Sequence, residues 1–271
     1  MQRPRVCGLS RIVLALLLPT VLLVGAAHPV VVAQSATPTA TQTNLTGVAP
    51  LPLTGERRAR FEAYVADALL RFGVPGASIA VIHNGDVVYL NGFGVREVGS
   101  TLAVDVDTMF MIGSVTRSLT TMLAATLVDD SRLTWETRLV DLLPDFAVGD
   151  PALTASLTVR DAFCNCIGLP GRDLEFFFQG DTFTPNGVVS ALARVAPTAA
   201  KGEQFQYNNL LIAAGGYALG VAAEGAAADI LQPYEMAMRE RVLGPIGMTH
   251  STFDPERVRP AATTRCPTPP A

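Results

Sequence analysis

Two β-rich runs flank an Asn-Gly dipeptide in the first third of the chain. Residues Ala77 to His83 and Val87 to Leu90 are rich in strand-forming side chains, and Asn84-Gly85-Asp86 separates them. Asn-Gly between two such runs is the strongest short-range signal for a β-hairpin. No convincing strand follows it. Because two strands alone make a sheet of marginal stability, the strands that should pair with this hairpin are either missing or supplied from elsewhere.

Helical periodicity dominates the rest of the chain. Apolar residues recur at helical spacing between Glu56 and Phe72, and the turn residues Gly73-Val74-Pro75-Gly76 follow, which predicts a helix that ends at Phe72. A second helix is predicted over Ser114 to Asp129. Shorter helical patterns are found at residues 139–143, 188–196, 210–223 and 234–242.

The N-terminus has the three parts of a secretory signal peptide. Three arginines occur among the first eleven residues, an apolar run follows from Ile12 to Ala27, and that run ends in small residues. We therefore expect residues 1–33 to be a signal peptide, cleaved after Ala27 or Ala33, and the protein to be exported to the periplasm, cell envelope or medium. If the leader stays uncleaved, Ile12 to Ala33 is long enough to anchor the chain in a membrane.

The composition of the remaining residues predicts a linker, a folded domain and a C-terminal tail. Residues 34–53 are rich in Thr, Ala and Pro, which is typical of a flexible linker. Residues 54–258 carry the periodic patterns of a folded domain, and residues 259–271 form a Pro- and Thr-rich tail that we expect to be unstructured. The formal net charge of −4 does not suit a nucleic-acid binder, which normally presents a basic face.

The cysteines and histidines do not predict a metal site or a cofactor. Without Cys7 of the leader, three cysteines remain, an odd number that implies no complete disulfide framework. Cys164 and Cys166 are interpreted as partly buried thiols between a helix and a loop. The redox state of Cys164, Cys166 and Cys266 is left open. The three scattered histidines are interpreted as surface residues, and no carboxylate and histidine cluster has metal-ligand spacing.

Two polar segments contain candidate residues for a catalytic or binding site. Ser114 would begin a helix, where backbone N–H groups favour a developing anion, and Arg117 would lie one turn further on the same face. Taken alone, this pattern favours a serine helix cap over a nucleophile. Tyr207 and Asn209 precede another predicted helix, and they suit either a cleft or an ordinary loop that leads into an asparagine cap.

Read together and in order, the short motifs of this chain resemble those of the β-lactamase-related serine hydrolases. That family includes class C β-lactamases, D-Ala-D-Ala carboxypeptidases and esterases. The resemblance runs from about residue 60 to residue 252. It rests on Phe72-Gly73-Val74-Pro75-Gly76, the Ser114 segment, Leu142-Leu143-Pro144-Asp145-Phe146, Leu157-Thr158-Val159-Arg160-Asp161, Gly168-Leu169-Pro170, Tyr207-Asn208-Asn209 and Gly244-Pro245-Ile246-Gly247-Met248.

The resemblance implies a fold and a mechanism. The fold is α+β, like that of β-lactamases and penicillin-binding proteins, with a helical subdomain and an antiparallel sheet of which only the N-terminal hairpin is present. Ser114 would attack an amide, ester or lactam carbonyl and form an acyl-enzyme. Tyr207 would act as base and later as acid, and Asn209 would hold the network and the substrate. The implied substrates are small molecules or peptidoglycan-like peptides, with no cofactor.

The chain departs from the family pattern at two points. Position 117 should be Lys, but Arg117 keeps its proton at neutral pH and cannot act as a base, although it still supplies a positive charge. The Lys/His-Thr/Ser-Gly motif, which lies on a later strand in the family, is absent. The resemblance therefore predicts a C-terminally truncated, impaired hydrolase. The alternative is a non-catalytic cell-envelope binding protein that keeps the fold.

Overall fold

The computed structural model describes residues 51–172, 184–254 and 257–258. The predicted signal peptide, most of the predicted linker and the predicted tail lie outside the described residues. The folded unit begins at Leu53. In the part of the chain that the structure describes, no helix combines the length and the apolar content needed to cross a membrane.

The predicted first helix and hairpin are both confirmed. Helix α1 spans Gly55–Phe72 and ends at Gly73, whose left-handed φ of 64° suits glycine. Strand β1 (Gly76–His83) pairs antiparallel with β2 (Asp86–Gly94). Asn84 and Gly85 both have positive φ, as the predicted tight turn requires. Within the described residues, the sheet consists of these two strands, which confirms the predicted α+β fold class.

Helix α1 packs on one face of the hairpin. The ring of Phe61 meets the ring of Tyr89 edge to face, with centroids 5.4 Å apart. Tyr89 is buried, and its hydroxyl donates to the carboxylate of Glu62 at 3.0 Å. Ile82 and Val87 remain 64% and 61% exposed, so the hairpin keeps apolar side chains that the described residues leave uncovered.

The remaining described elements are helices. They are α2 (Thr116–Asp129), α3 (Leu139–Leu142), α4 (Pro151–Ser156), α5 (Val159–Cys164), α6 (Pro185–Leu192), α7 (Asn209–Glu224) and α8 (Leu231–Met238), which continues as a π-helical turn over Arg239–Leu243. Every predicted helix has a counterpart. Helices α4 and α5 were not predicted, since six residues are too few to show a period. Helix α6 begins before the predicted start at residue 188, because Thr184 caps it and Pro185 starts its first turn.

Helix α7 lies at the centre of the helical core. Ala214, Ala218 and Leu219 on α7 are fully buried, as are Leu123 and Leu127 on α2. These residues belong to one continuous apolar cluster. Because α2 and α7 pack in this common core, the segment before α2 is held close to the loop before α7. Those two segments carry Ser114 and Tyr207.

Candidate active site

Ser114 lies in a short 3-10 turn, Gly113–Val115, just ahead of α2. The interpretation of Ser114 as a helix cap is wrong, because α2 begins at Thr116, its cap position is Val115, and no side chain caps it. The serine is exposed, and its Oγ lies 2.5 Å from the phenol oxygen of Tyr207. A hydroxyl in so short a hydrogen bond to a group that can take its proton has the geometry of an activated nucleophile.

Tyr207 is positioned by the residue that follows it. Asn208 is 2% exposed, and its Oδ1 accepts a hydrogen bond from the backbone N–H of Leu211 at 2.9 Å, which caps α7. Its Nδ2 donates to the carbonyl of Pro170, also at 2.9 Å. The segment is therefore an asparagine cap and also presents Tyr207 to Ser114. The two alternatives drawn from the sequence are compatible.

Arg117 lies on the same side of α2 as Ser114 and faces Tyr207. Its guanidinium carbon is 3.7 Å from the centroid of the Tyr207 ring, a cation–π contact. One terminal nitrogen donates to Oδ1 of Asn165 at 3.1 Å. The structure thus places a permanent positive charge beside the Ser114–Tyr207 pair. That charge can stabilise a developing anion, but it cannot accept a proton.

Asn165 joins this group although the sequence did not single it out. It follows α5 with a left-handed φ of 56° and is 9% exposed. Besides the contact to Arg117, its Oδ1 lies 3.5 Å from the backbone nitrogen of Asn208, and its carbonyl accepts from the N–H of Gln206 at 2.7 Å. The preference of Asn for the left-handed position after a helix was the available signal, but it predicts a cap and not a place in the site.

The two cysteines beside Asn165 are free thiols, and both are partly buried, as the sequence predicted. The backbone N–H of Cys166 donates to the sulfur of Cys164 at 3.3 Å. Burial raises the pKa of the Cys164 thiol to about 11, so this thiol is protonated at neutral pH and is a poor nucleophile. Cys266 lies outside the described residues.

An ion pair fastens the Tyr207 loop to α5. Lys201 Nζ lies 2.6 Å from Oδ2 of Asp161, whose side chain is 6% exposed. The same carboxylate accepts from the backbone N–H of Thr158 at 3.0 Å and so completes a capping box at the start of α5. Both ends of α5 therefore hold the loop that leads to Tyr207.

Asn209, the fourth predicted site residue, is the first residue of α7 and is exposed. The structure thus brings Ser114, Arg117 and Tyr207 into direct contact and places Asn209 at the same loop-to-helix junction as Tyr207. Within the described ranges, no cluster of three or more His, Cys, Asp or Glu side chains is arranged to hold a metal ion.

A groove of about 510 Å³ opens on the face of α2 that carries Arg117. Most of its lining is apolar or weakly polar: Ser118, Thr121, Met122, Ala125, Trp135 and Phe163, together with Arg117. Its volume falls in the range of small-molecule sites. Arg117 therefore borders both the groove and the Ser114–Tyr207 pair.

Comparison with known proteins supports the resemblance found in the motifs. The sequence profile of the family described as beta-lactamase matches residues 58–271. An unguisins hydrolase from Aspergillus violaceofuscus is 28% identical over 207 residues, which cover 74% of this chain and 34% of the relative. Penicillin-binding protein 4 from Amycolatopsis lactamdurans is 31% identical over 185 residues, which cover 68% of this chain and 46% of the relative.

A solved structure shows the same architecture. The octameric penicillin-binding protein homologue from Pyrococcus abyssi matches with a TM-score of 0.61 and 25% identity, covering 74% of this chain and 45% of that one. The chain thus spans between about a third and about half of the length of these three proteins. Since the profile covers most of the 271 residues and includes the Ser114 and Tyr207 segments, the protein belongs to the beta-lactamase-related family of serine hydrolases.

Proposed function

We propose that this chain acts as a serine hydrolase that forms an acyl-enzyme on Ser114, and that Arg117 slows this step. The observation that carries the proposal is the 2.5 Å contact between Ser114 Oγ and the phenol oxygen of Tyr207. The contact joins residues 93 positions apart in the chain, and the serine is exposed to an incoming substrate.

The proposed reaction has two halves. The reaction starts with Tyr207 as the phenolate. As Ser114 Oγ bonds to the carbonyl carbon of an amide, ester or lactam, the phenolate oxygen of Tyr207 takes the hydroxyl proton. The backbone N–H of Ser114, at the positive start of α2, stabilises the oxyanion. Tyr207 then delivers the proton to the leaving nitrogen or oxygen, and the carbonyl–leaving group bond breaks. Tyr207 next takes a proton from water as the water oxygen attacks the acyl carbon, and it returns that proton to Ser114 Oγ as the ester bond breaks and the acid product leaves.

The guanidinium of Arg117 supports only part of this reaction. It offsets negative charge that develops on the Tyr207 oxygen, because it lies against that ring. It cannot relay a proton between Ser114 and Tyr207, as a neutral lysine can. General-base help is worth about a hundredfold or more, so we expect acylation to be slower than with lysine by roughly that factor.

The proposed substrates are small molecules or short peptides with a reactive carbonyl. The names of two relatives, an unguisins hydrolase and a penicillin-binding protein, support this class. The groove that begins at Arg117, one turn along the chain from Ser114, has the volume of a small-molecule site. Asn209 is proposed to hold the substrate at the mouth of the site.

The test is covalent labelling of the 271-residue chain with a fluorophosphonate and, separately, with a fluorescent β-lactam. We expect slow labelling that maps to Ser114 by peptide mass spectrometry. The Ser114→Ala variant should lose it, and Tyr207→Phe should slow it about a hundredfold or more. Ser190→Ala, on the exposed face of α6, is the matched control and should label like the parent.

Arg117 also favours a second candidate, a cell-envelope binding protein that keeps the fold without catalysis. In that case, the chain would bind a peptidoglycan-like peptide or a β-lactam reversibly, and neither probe would label Ser114 above the level of Ser114→Ala. Equilibrium dialysis with the same ligands separates this outcome from simple loss of function.

We further propose that the protein is exported by residues 1–33. The support is the order of positive, apolar and small residues at the N-terminus. The test is the N-terminal sequence of the protein recovered from a bacterial host. Residue 28 or 34 as the first residue supports cleavage, a retained Met1 in the membrane fraction supports an anchor, and recovery from the cytoplasm contradicts export.

A further inference from the structure

We infer that Asn165 is a positioning residue, which holds the guanidinium of Arg117 against the ring of Tyr207. This inference rests on the proposed function for its effect on acylation. The tether itself is a separate property of the structure, and one of the two measurements below does not depend on catalysis.

The side-chain oxygen of Asn165 contacts both segments of the site. It accepts from Arg117 at 3.1 Å and lies 3.5 Å from the backbone nitrogen of Asn208, next to Tyr207. With Asn165 only 9% exposed, water competes little for this oxygen. A hydrogen bond to a charged donor in such a place is stronger than one between neutral groups.

The backbone around Asn165 holds the Tyr207 loop independently of the side chain. The N–H of Gln206 donates to the carbonyl of Asn165 at 2.7 Å, and the N–H of Gly202 donates to the carbonyl of Cys166 at 2.6 Å. Residues 202–208 are therefore attached to the same short segment from which the Asn165 side chain reaches Arg117. Asn165 thus contacts both the arginine on α2 and the loop that carries Tyr207.

Arginine needs such a fixed partner to stay over the ring. Its long side chain loses considerable rotamer freedom when it is held in one place. The groove on the α2 face offers the guanidinium another position, because Arg117 also lines that groove. Without the Asn165 acceptor, we expect Arg117 to leave the Tyr207 ring for part of the time.

Two variants separate the side chain from the backbone. Asn165→Gly removes the acceptor and still adopts the left-handed φ of 56° without strain. Asn165→Asp keeps an oxygen acceptor. Asn84→Gly is the matched control, since Asn84 has a similar φ of 51° but lies in the hairpin turn, so the same chemical change is made away from the site.

The first measurement is the proton spectrum of the 15N-labelled guanidinium groups. Protons held over an aromatic face are shifted upfield by the ring current, and Arg117→Lys identifies the signal by its loss. We expect the upfield shift of Arg117 to collapse in Asn165→Gly and to persist in Asn84→Gly. An unchanged shift in Asn165→Gly would overturn the inference.

The Asn165→Asp variant provides a second test of the inference if the Asn165→Gly variant does not fold. Its carboxylate should keep the upfield shift at neutral pH and weaken it as the carboxylate protonates below about pH 4, a dependence that the parent chain should lack. An Arg117 signal in this variant that does not respond to pH would also overturn the inference.

The second measurement is the rate of fluorophosphonate labelling. We expect Asn165→Gly to lower the limiting acylation rate about tenfold with little change in the probe concentration that gives half of that rate. Equal limiting rates in the parent and Asn165→Gly would contradict a role in acylation. If neither the parent nor any variant is labelled, the proposed hydrolase function fails, and the arginine spectrum still decides whether Asn165 positions Arg117.

Discussion

At position 117 the decisive difference between arginine and lysine is the ability to give up a proton. Both side chains carry a positive charge, but only lysine loses its proton at a pH that proteins tolerate. The Ser114–Tyr207 contact of 2.5 Å shows that the other two groups already have catalytic spacing. Under the proposed function, we therefore expect the chemistry of this side chain, and not misplacement of the pair, to limit acylation.

We predict that Arg117→Lys raises the rate at which a fluorophosphonate or β-lactam labels Ser114 by about a hundredfold. The reason is that a lysine at this position can share a proton with Ser114 and Tyr207. The measurement is the time course of labelling at saturating probe. Arg71→Lys, which changes an exposed ion pair with Asp67 on α1, is the matched control. If Arg117→Lys labels no faster than the parent, Arg117 does not limit acylation.

A second prediction concerns the thiol of Cys164. Burial raises its pKa from about 9 to about 11, so at pH 8 the native chain should react with iodoacetamide at this residue about a hundredfold more slowly than the urea-unfolded chain. Since the folded pKa is the higher one, its contribution to stability is complete below pH 9 and is lost as the pH rises through 11.

Peptide mass spectrometry at a series of pH values measures the alkylation of Cys164 alone. The half-maximal rate should fall near pH 11 in the native chain and near pH 9 in urea. Equal midpoints in the two states would show that Cys164 is not shielded by folding. The Cys166→Ser variant tests whether the neighbouring side chain contributes, because a hydrogen bond between the two side chains is the second cause of the raised Cys164 pKa.

The candidate site residues could be singled out from the sequence, whereas Asn165, which contacts two segments of the site, could not. Ser114, Arg117 and Tyr207 stand in motifs that keep their order and spacing along the chain. Asn165 acts through contacts with Arg117 and Asn208, which are 48 and 43 positions away. Nothing local distinguishes such a residue from an ordinary helix cap, since only the folded chain brings the three segments together.

At the scale of the elements, sequence signals predicted the structure correctly where a local backbone conformation determines it. Asn84-Gly85 requires positive φ at both positions, and the hairpin follows from that requirement. The start of α2 was misplaced by two residues, because a 3-10 turn continues the helical pattern toward the N-terminus. The close packing of α7 on α8 also escaped prediction, since an all-round apolar helix shows no preferred face.

That close packing gives the third prediction. A methyl group on Gly220 of α7 would collide with the backbone of Tyr234 on α8. We expect Gly220→Ala to lower the free energy of unfolding by about 1–3 kcal/mol, despite the better helix propensity of alanine. Urea denaturation followed by circular dichroism measures the change.

Gly187→Ala is the matched control for this packing. Gly187 lies in the first turn of α6, and a methyl group there would meet only the side-chain oxygen of Thr184, at 3.0 Å. We expect its unfolding free energy to stay within about 0.5 kcal/mol of the parent or to increase. Equal effects of the two substitutions would mean that α7 and α8 do not pack as closely as the structure shows.

At the scale of the whole molecule, the described apolar side chains differ in burial between the helical core and the hairpin. The helices share one cluster that contains nearly all of the fully buried side chains. The hairpin buries Tyr89 against α1 but leaves Ile82, Val87, Val88 and Leu90 between 46% and 64% exposed. Ile82 and Val87 are paired across the two strands and form one exposed apolar patch. Because such a patch marks a surface that associates with other apolar material, we expect it to contribute to self-association of this chain.

The fourth prediction tests whether the exposed apolar side chains of the hairpin contribute to self-association. Replacing Ile82 and Val87 together by threonine keeps β-branched side chains, which suit a strand, while it reduces the apolar surface. We expect the double variant of the 271-residue chain to bind the dye ANS more weakly and to self-associate less than the parent in sedimentation velocity. The midpoint of thermal unfolding should change little, because both side chains are largely exposed.

Val98→Thr is the control for these measurements. Val98 is 81% exposed but lies in the turn after β2 and outside the hairpin strands, so its replacement should leave dye binding and sedimentation as in the parent. If it reduces them as much as the hairpin variant does, exposed valine and isoleucine act singly, and the hairpin is not a distinct surface. If only the hairpin variant responds, the cross-strand pair Ile82–Val87 acts as one apolar patch, distinct from single exposed apolar side chains.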